Sequence, residues 1–205
     1  MYMGTRLNIN GFFTIPVLQK KIENMEDFNK SIVDNIDVFM KENENKKPVN
    51  WACELYVSGI HDNLLNRKEF RELKKPILEN AKVLCEHMDY DLENYRLKIR
   101  DCWLNAYDKG NTQETHNHPG SDISGIYYPT SNELDGPLVF KSPIADVMKQ
   151  PPLKKLSARN TPYIYVRTET SNMVMFPSHL MHGVMPQQDE NKRISIAFNI
   201  ELVKK

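Results

Sequence analysis

The chain has 205 residues, 40% hydrophobic and 26% charged, with 27 basic and 27 acidic side chains in balance. That length suits a single domain, spanning 1–205, with a core large enough to need no disulfide staples. A formal net charge of +0 gives no basic excess for a nucleic-acid partner, and no apolar run is long enough to cross a bilayer.

Residues 1–13 lack the basic start and apolar stretch of a signal peptide. Leu7 to Phe13 reads as a short strand. From Val17 to about Met40, Leu18, Ile22, Met25, Phe28, Ile32, Ile36 and Phe39 recur in steps of three and four, which predicts one amphipathic helix. Lys41 to Pro48 is a polar turn. A second helical stripe begins near Asp62 with Leu65, Phe70, Leu73, Ile77, Leu84 and Met88. Pro76 lies inside it and predicts a kink or two helices in series. After Asp91 the period changes to two. Tyr95, Leu97 and Ile99 alternate with basic residues, and Trp103, Asn105 and Tyr107 continue the same phase. Ile123 to Tyr128, Leu138 to Phe140, Tyr163 to Val166, Met173 to Phe176 and Ile194 to Ile200 are further strands, separated by Gly, Pro and Asn turns. Residues 1–90 therefore form a helical buttress with a short N-terminal strand, and 91–205 a mainly β sandwich or barrel. Cys53, Cys85 and Cys102 are scattered and odd in number. They fit buried free thiols in a reducing compartment, and the expected location is cytoplasmic.

Four of the six histidines fall in the strand-rich half. His116 and His118 form an H-x-H pair, and an extended segment would put both imidazoles on one face. His182 lies more than sixty residues on, after His179. Two imidazoles and a distant third donor, with positions left open, are the plan of non-haem iron sites; a chance pair among six histidines is the bland alternative. Arg193 and Ser195 share one face of a strand whose other face is Ile194, Ile196 and Phe198. An inward-facing Arg needs an anion, either a ligand carboxylate held bidentately or an Asp or Glu of the protein. His61, His87 and His179 read as surface or loop side chains. Trp103 and Asn105 line either a pocket or the core.

Taken in order, several blocks resemble the iron(II)- and 2-oxoglutarate-dependent oxygenases, in particular a branch found in bacteria and phages. They are Trp103-Leu104-Asn105, HNHPGSDISGIYY from His116 to Tyr128, Gly136 to Phe140, FPSHLMH from Phe176 to His182, and RISIAFN from Arg193 to Asn199. The resemblance covers about half of the chain, from Trp103 onward. It implies a double-stranded β-helix, or jelly roll, with the helices buttressing the larger sheet. It also implies Fe(II) held by His116, His118 and His182, and 2-oxoglutarate as co-substrate. Arg193 and Ser195 would hold its remote carboxylate, with Tyr128 donating to the same group and Asn105 lining the cofactor pocket. His118 stands where most of the superfamily has Asp or Glu, so Asp122 and Glu114 are alternative third ligands.

The activity so implied is hydroxylation of a prolyl, other peptidyl or small-molecule C–H, with release of succinate and carbon dioxide. Substrate contacts are expected from the Pro-rich segment Ser142 to Pro162 and from the tail of the helical half. A cupin-like three-His dioxygenase or isomerase needing no 2-oxoglutarate is the alternative, and a jelly roll retaining only a binding pocket is a third. No nucleic-acid or membrane partner is expected. The oligomeric state is left open, a homodimer included.

Overall fold

The computed structural model describes residues 9, 11–147, 149 and 151–205. The described residues form ten strands: β1 (Leu18–Lys21), β2 (Tyr56–Val57), β3 (Tyr95–Tyr107), β4 (Gln113–His116), β5 (Ile123–Tyr128), β6 (Leu138–Lys141), β7 (Tyr163–Val166), β8 (Asn172–Pro177), β9 (His182–Val184) and β10 (Arg193–Lys204). They make two antiparallel sheets, a six-stranded one in the order β1-β8-β5-β10-β3-β2 and a four-stranded one in the order β4-β9-β6-β7. This is the jelly roll the sequence blocks imply. Three helices, α1 (Glu26–Asp34), α2 (Ile36–Glu42) and α3 (Lys74–His87), lie in the first half.

The expected helix from Val17 to Met40 is corrected in two places. Leu18 to Lys21 instead pairs with β8, so its apolar residue serves a sheet edge. The rest breaks at Asn35, whose side-chain amide donates to the Ser31 carbonyl at 2.8 Å and whose backbone N–H turns back to Val33. Ile36 and Phe39 then belong to a separate helix, α2. The second stripe does divide in series, into 3-10 turns over Leu64–Asn66 and Lys68–Leu73 followed by α3. Pro76 sits in the first turn of α3, where a backbone N–H would have no intrahelical partner anyway. Of the strand expected over Leu7 to Phe13, residues 7, 8 and 10 lie outside the described residues, and 11–13 are irregular.

One cluster of buried side chains joins the helices to the outer face of the large sheet. Met25, Phe28, Ile32, Phe70, Leu73, Ile77 and Leu84 meet Tyr127, Met173, Met175, Ile196 and Phe198. A buried polar chain pins α1 to β5: the Tyr127 hydroxyl donates to Asn29 Oδ1 at 2.7 Å, and Asn29 Nδ2 donates to Ser171 Oγ at 2.7 Å. On the other face of the sheet, Trp103, Tyr128 and Phe176 pack against Phe140 of β6 and Val184 of β9.

The alternation along β3 does not hold one phase. Asn199 pairs with Asp101 and Ile200 with Ile99, which leaves Arg100 as an extra residue. This bulge moves the inward set from one parity to the other. Leu97 and Ile99 belong to the helix-covered face together with Cys102, Leu104 and Ala106, while Trp103 and Tyr107 face the space between the sheets. The strand β10 keeps its phase, so Arg193, Ser195 and Asn199 look into that space as well.

Candidate metal and anion site

His116 and His182 are direct cross-strand partners on β4 and β9. His118 lies two residues beyond His116, where its backbone N–H donates to the Ser178 carbonyl at 3.0 Å. Gly120 then turns the chain at φ 84, a left-handed conformation that suits glycine. The rings gather tightly, with centroids 5.1 Å apart for His116 and His118, 4.5 Å for His116 and His182, and 5.0 Å for His118 and His182.

One nitrogen of each ring lies within 4.8 Å of the other two. Three points so spaced have a common centre no more than about 2.8 Å (4.8/√3) from each, against about 2.0–2.1 Å for an imidazole–zinc bond. A contraction of well under 1 Å would therefore close the set on one ion. The three Nδ1 atoms are already engaged, with the Glu114 carbonyl at 2.8 Å, Asn199 Oδ1 at 2.6 Å and the Leu180 carbonyl at 2.9 Å. All three partners accept, so each Nδ1 carries the proton and each Nε2 keeps its lone pair for a metal. Burial lowers all three imidazole pKa values, His118 to about 4 with His116 and Arg100 adding to the shift. At neutral pH the rings are thus neutral, the ligating form.

The carboxylates considered as third ligands are used elsewhere. Asp122 accepts from the Leu202 backbone N–H at 2.7 Å, and Glu114 accepts from that of Ala52 at 3.0 Å. His179 is exposed on the connection between β8 and β9. His61 is exposed too, though its Nδ1 lies 3.8 Å from Asp101.

Across the same cavity stands Arg193, 1% exposed. Among the described residues no carboxylate comes within 4.0 Å of it, and its Nη1 atom has no hydrogen-bond partner. The guanidinium instead lies over the rings of Tyr107 at 4.8 Å and Tyr128 at 5.2 Å. The Tyr128 hydroxyl, Trp103 Nε1 and Asn105 Oδ1 are also buried without partners. Burial raises the phenol pKa of Tyr128 and Tyr107, so both hydroxyls stay protonated donors. Ser195 and Asn105 line the cavity beside Arg193. Trp103 and Asn105 are therefore pocket residues, and the Arg193 cation has no protein anion. So many orphaned polar atoms around one space are what a missing polar ligand would leave.

Residues 101–199 match the family model described as "Putative 2OG-Fe(II) oxygenase". Over those residues the chain is similar to the 2OG-Fe(II) oxygenase family. The matched span carries all three histidines, Tyr128, Arg193 and Ser195, and it nearly coincides with the stretch that holds the sequence blocks. The fold is shared with solved structures at low identity. A prolyl-4-hydroxylase from Pseudomonas putida is similar with a TM-score of 0.62 and 14% identity over 92% of this chain and 94% of that one. The α-ketoglutarate-dependent epimerase SnoN of nogalamycin biosynthesis gives 0.63 and 10% over 90% and 76%. HygX from Streptomyces hygroscopicus, solved with nickel, 2-oxoglutarate and hygromycin B, gives 0.56 and 14% over 93% and 84%. No curated protein matches. Among the described residues no helix is long and apolar enough to cross a membrane.

Sequence reasoning gave no role to Asn199, although the parity of Arg193 and Ser195 extends to it. It also passed over Trp51, whose ring centroid lies 5.8 Å from that of His116; its signal is only a lone aromatic in a polar stretch.

Proposed function

We propose that the chain is an Fe(II)- and 2-oxoglutarate-dependent oxygenase that hydroxylates a peptidyl or small-molecule C–H. The observation that carries this is Arg193, a buried cation without a protein anion, facing three lone-pair nitrogens across one cavity. Arg193 and the three histidines line one cavity, the arrangement a diacid needs to rest one end on the metal and the other on the guanidinium. His116, His118 and His182 hold the iron through Nε2. Arg193 and Ser195 hold the remote carboxylate, and Tyr128 donates its hydroxyl to the same group. Asn105 and Trp103 offer polar atoms along the acid's flank.

Iron(II) and 2-oxoglutarate held there would let dioxygen act as the oxidant, one oxygen atom ending in the hydroxylated C–H and the other in succinate as 2-oxoglutarate loses carbon dioxide. The protein's own part is to orient and to exclude water. The site is walled by Trp103, Ile126 and Phe176, and its free volume of about 20 Å³ is slim. Arg193 keeps Nη1 without a hydrogen-bond partner, free to take up the acid's remote carboxylate. The described residues of 142–162, largely without regular structure and mostly exposed, are a further contact surface for the substrate.

Three neutral histidines also suit a dioxygenase that needs no 2-oxoglutarate, but such an enzyme has no use for the Arg193 clamp. The test is succinate formation by the iron-loaded protein in air, with prolyl peptides and small-molecule candidates added in turn. Succinate that depends on both iron and 2-oxoglutarate, and rises with one candidate, supports the proposal. Oxidation of a candidate in the absence of 2-oxoglutarate would favour the three-His alternative.

A further inference from the structure

The usual triad of this superfamily carries a carboxylate at the position of His118, so three imidazoles leave the ion one negative charge short. We infer that Asp101, acting through Asn199, supplies that charge from behind His118, which makes Asn199 and Asp101 positioning residues for the metal site. This deepens the reading of His118 as a ligand and rests on it.

The chain of contacts is continuous. His118 Nδ1 lies 2.6 Å from Asn199 Oδ1, and Asn199 Nδ2 donates to Asp101 Oδ2 at 3.1 Å. Asn199 is 2% exposed and Asp101 4%. The orientation of the amide is fixed from both sides. A carboxylate only accepts, so the amide nitrogen must face Asp101, and Ser124 Oγ donates to the amide oxygen at 2.9 Å. That leaves Oδ1 as the acceptor for the His118 N–H. Asp101 is itself held by Arg100 Nε at 2.7 Å, while Arg100 reaches the Gly120 carbonyl at 2.6 Å and Glu201 at 3.3 Å. Arg100 offsets part of the Asp101 charge, but it is about one third exposed and screened by water, whereas the path through Asn199 is buried.

The β3 bulge makes the chain possible. It turns Asp101 inward to face Asn199 on β10 while Arg100 stays at the surface. Hydrogen bonding behind a ligating imidazole raises its basicity and fixes its ring. The other two histidines have only backbone carbonyls behind them. The Glu114 carboxylate also acts on His116 through space, but His118, in the position of the usual carboxylate, is the one of the three whose Nδ1 meets a side chain hydrogen-bonded to a carboxylate.

The experiment uses the full chain and Ni(II), with affinity measured by chelator competition and each variant's folding checked by thermal melting. Asn199→Leu should weaken Ni(II) binding roughly 10- to 100-fold, the usual cost of losing such a partner. Asp101→Asn keeps a neutral hydrogen bond and removes the charge, and should weaken binding less. The exchanged pair, Asn199→Asp with Asp101→Asn, moves the carboxylate one place inward and should restore wild-type affinity or better. Mere filling of a buried polar space predicts the reverse, because an inward carboxylate would then be the worst occupant. An exchanged pair no better than Asn199→Leu, or an unchanged affinity in a folded Asn199→Leu, overturns the inference. Should Asn199→Leu fail to fold, Asp101→Asn decides, since affinity equal to wild type also overturns it. No Ni(II) binding by the wild type would instead sink the metal site itself.

Discussion

Replacing Arg193 by Met separates two roles that a single residue seldom shows together. Without a ligand, the guanidinium is a buried cation compensated only by the faces of Tyr107 and Tyr128. Exchanging buried charges for apolar groups of similar volume is worth about 1–4 kcal/mol in favour of folding, and two lost cation–π contacts return about 1–2 kcal/mol of that. The ligand-free Arg193→Met variant should therefore be more stable by about 1 kcal/mol, a rise in Tm of about 2–4 °C for a chain of this size. The same change removes the partner of the remote carboxylate. Breaking such a buried pair costs about 3–5 kcal/mol, so 2-oxoglutarate affinity should fall by roughly two to three and a half powers of ten. Arg193→Lys should recover only part, because a point charge cannot reproduce the planar fork. Ser195→Ala should cost about 1 kcal/mol. Melting curves without ligand, and anaerobic 2-oxoglutarate titrations of the iron-loaded variants, read both effects. A destabilised Arg193→Met with unchanged 2-oxoglutarate affinity would show a structural arginine and refute the reasoning.

Three further outcomes follow from the same geometry. Burial holds His118 near 4 against an ordinary 6.5, so as pH falls below 6.5 the unfolded chain takes up the proton first. The stability contributed by the neutral ring is complete above pH 6.5 and lost toward pH 4, by at most roughly 3 kcal/mol for His118; a Tm of the metal-free protein that stays flat from pH 8 to 4 would contradict this. In Gly183→Ala the new Cβ would stand 2.8 Å from the Gln113 carbonyl oxygen, which forces β9 away from β4. Metal affinity should drop at least tenfold, as measured by Ni(II) competition, and an unaltered value would mean that the His116–His182 pairing tolerates separation. Deleting residues 1–90 strips the helices from Met173, Met175, Ile196 and Phe198 and removes both edge strands β1 and β2 from the large sheet. The remainder should be insoluble or fail to melt cooperatively, whereas a soluble, cooperatively melting product would make the helices a separate unit.

Where chemistry restricts the residue type, the sequence was legible. A metal needs several lone-pair donors and a dianion needs a cation, so His116, His118, His182 and Arg193 stood out by type and spacing, and the structure brings them to one cavity. Strand alternation located β5, β6, β7, β8 and β10 to within a few residues. Features set by tertiary pairing were hidden. Leu18 fits a helical stripe as well as a sheet edge, and only β8 decides between them. Asn35 interrupts the helix through its own amide, which no periodicity reveals. The Arg100 bulge reverses which side of β3 faces inward, so the apparent continuity from Ile99 to Trp103 was false. β4 and β9 are too short to show alternation, although they position His116 and His182. Asn199 gave no sign of its place behind His118, because a lone polar residue at the end of an inward-facing series has many uses.

The most direct test is calorimetric titration of 2-oxoglutarate into the protein with and without one equivalent of Mn(II) as an air-stable substitute for iron. The account predicts one 2-oxoglutarate per chain when the metal is present and at least tenfold weaker binding when it is omitted, since one end of the acid rests on the ion and the other on Arg193. Equal binding without metal, or a tightly bound metal with no 2-oxoglutarate binding at all, would contradict it.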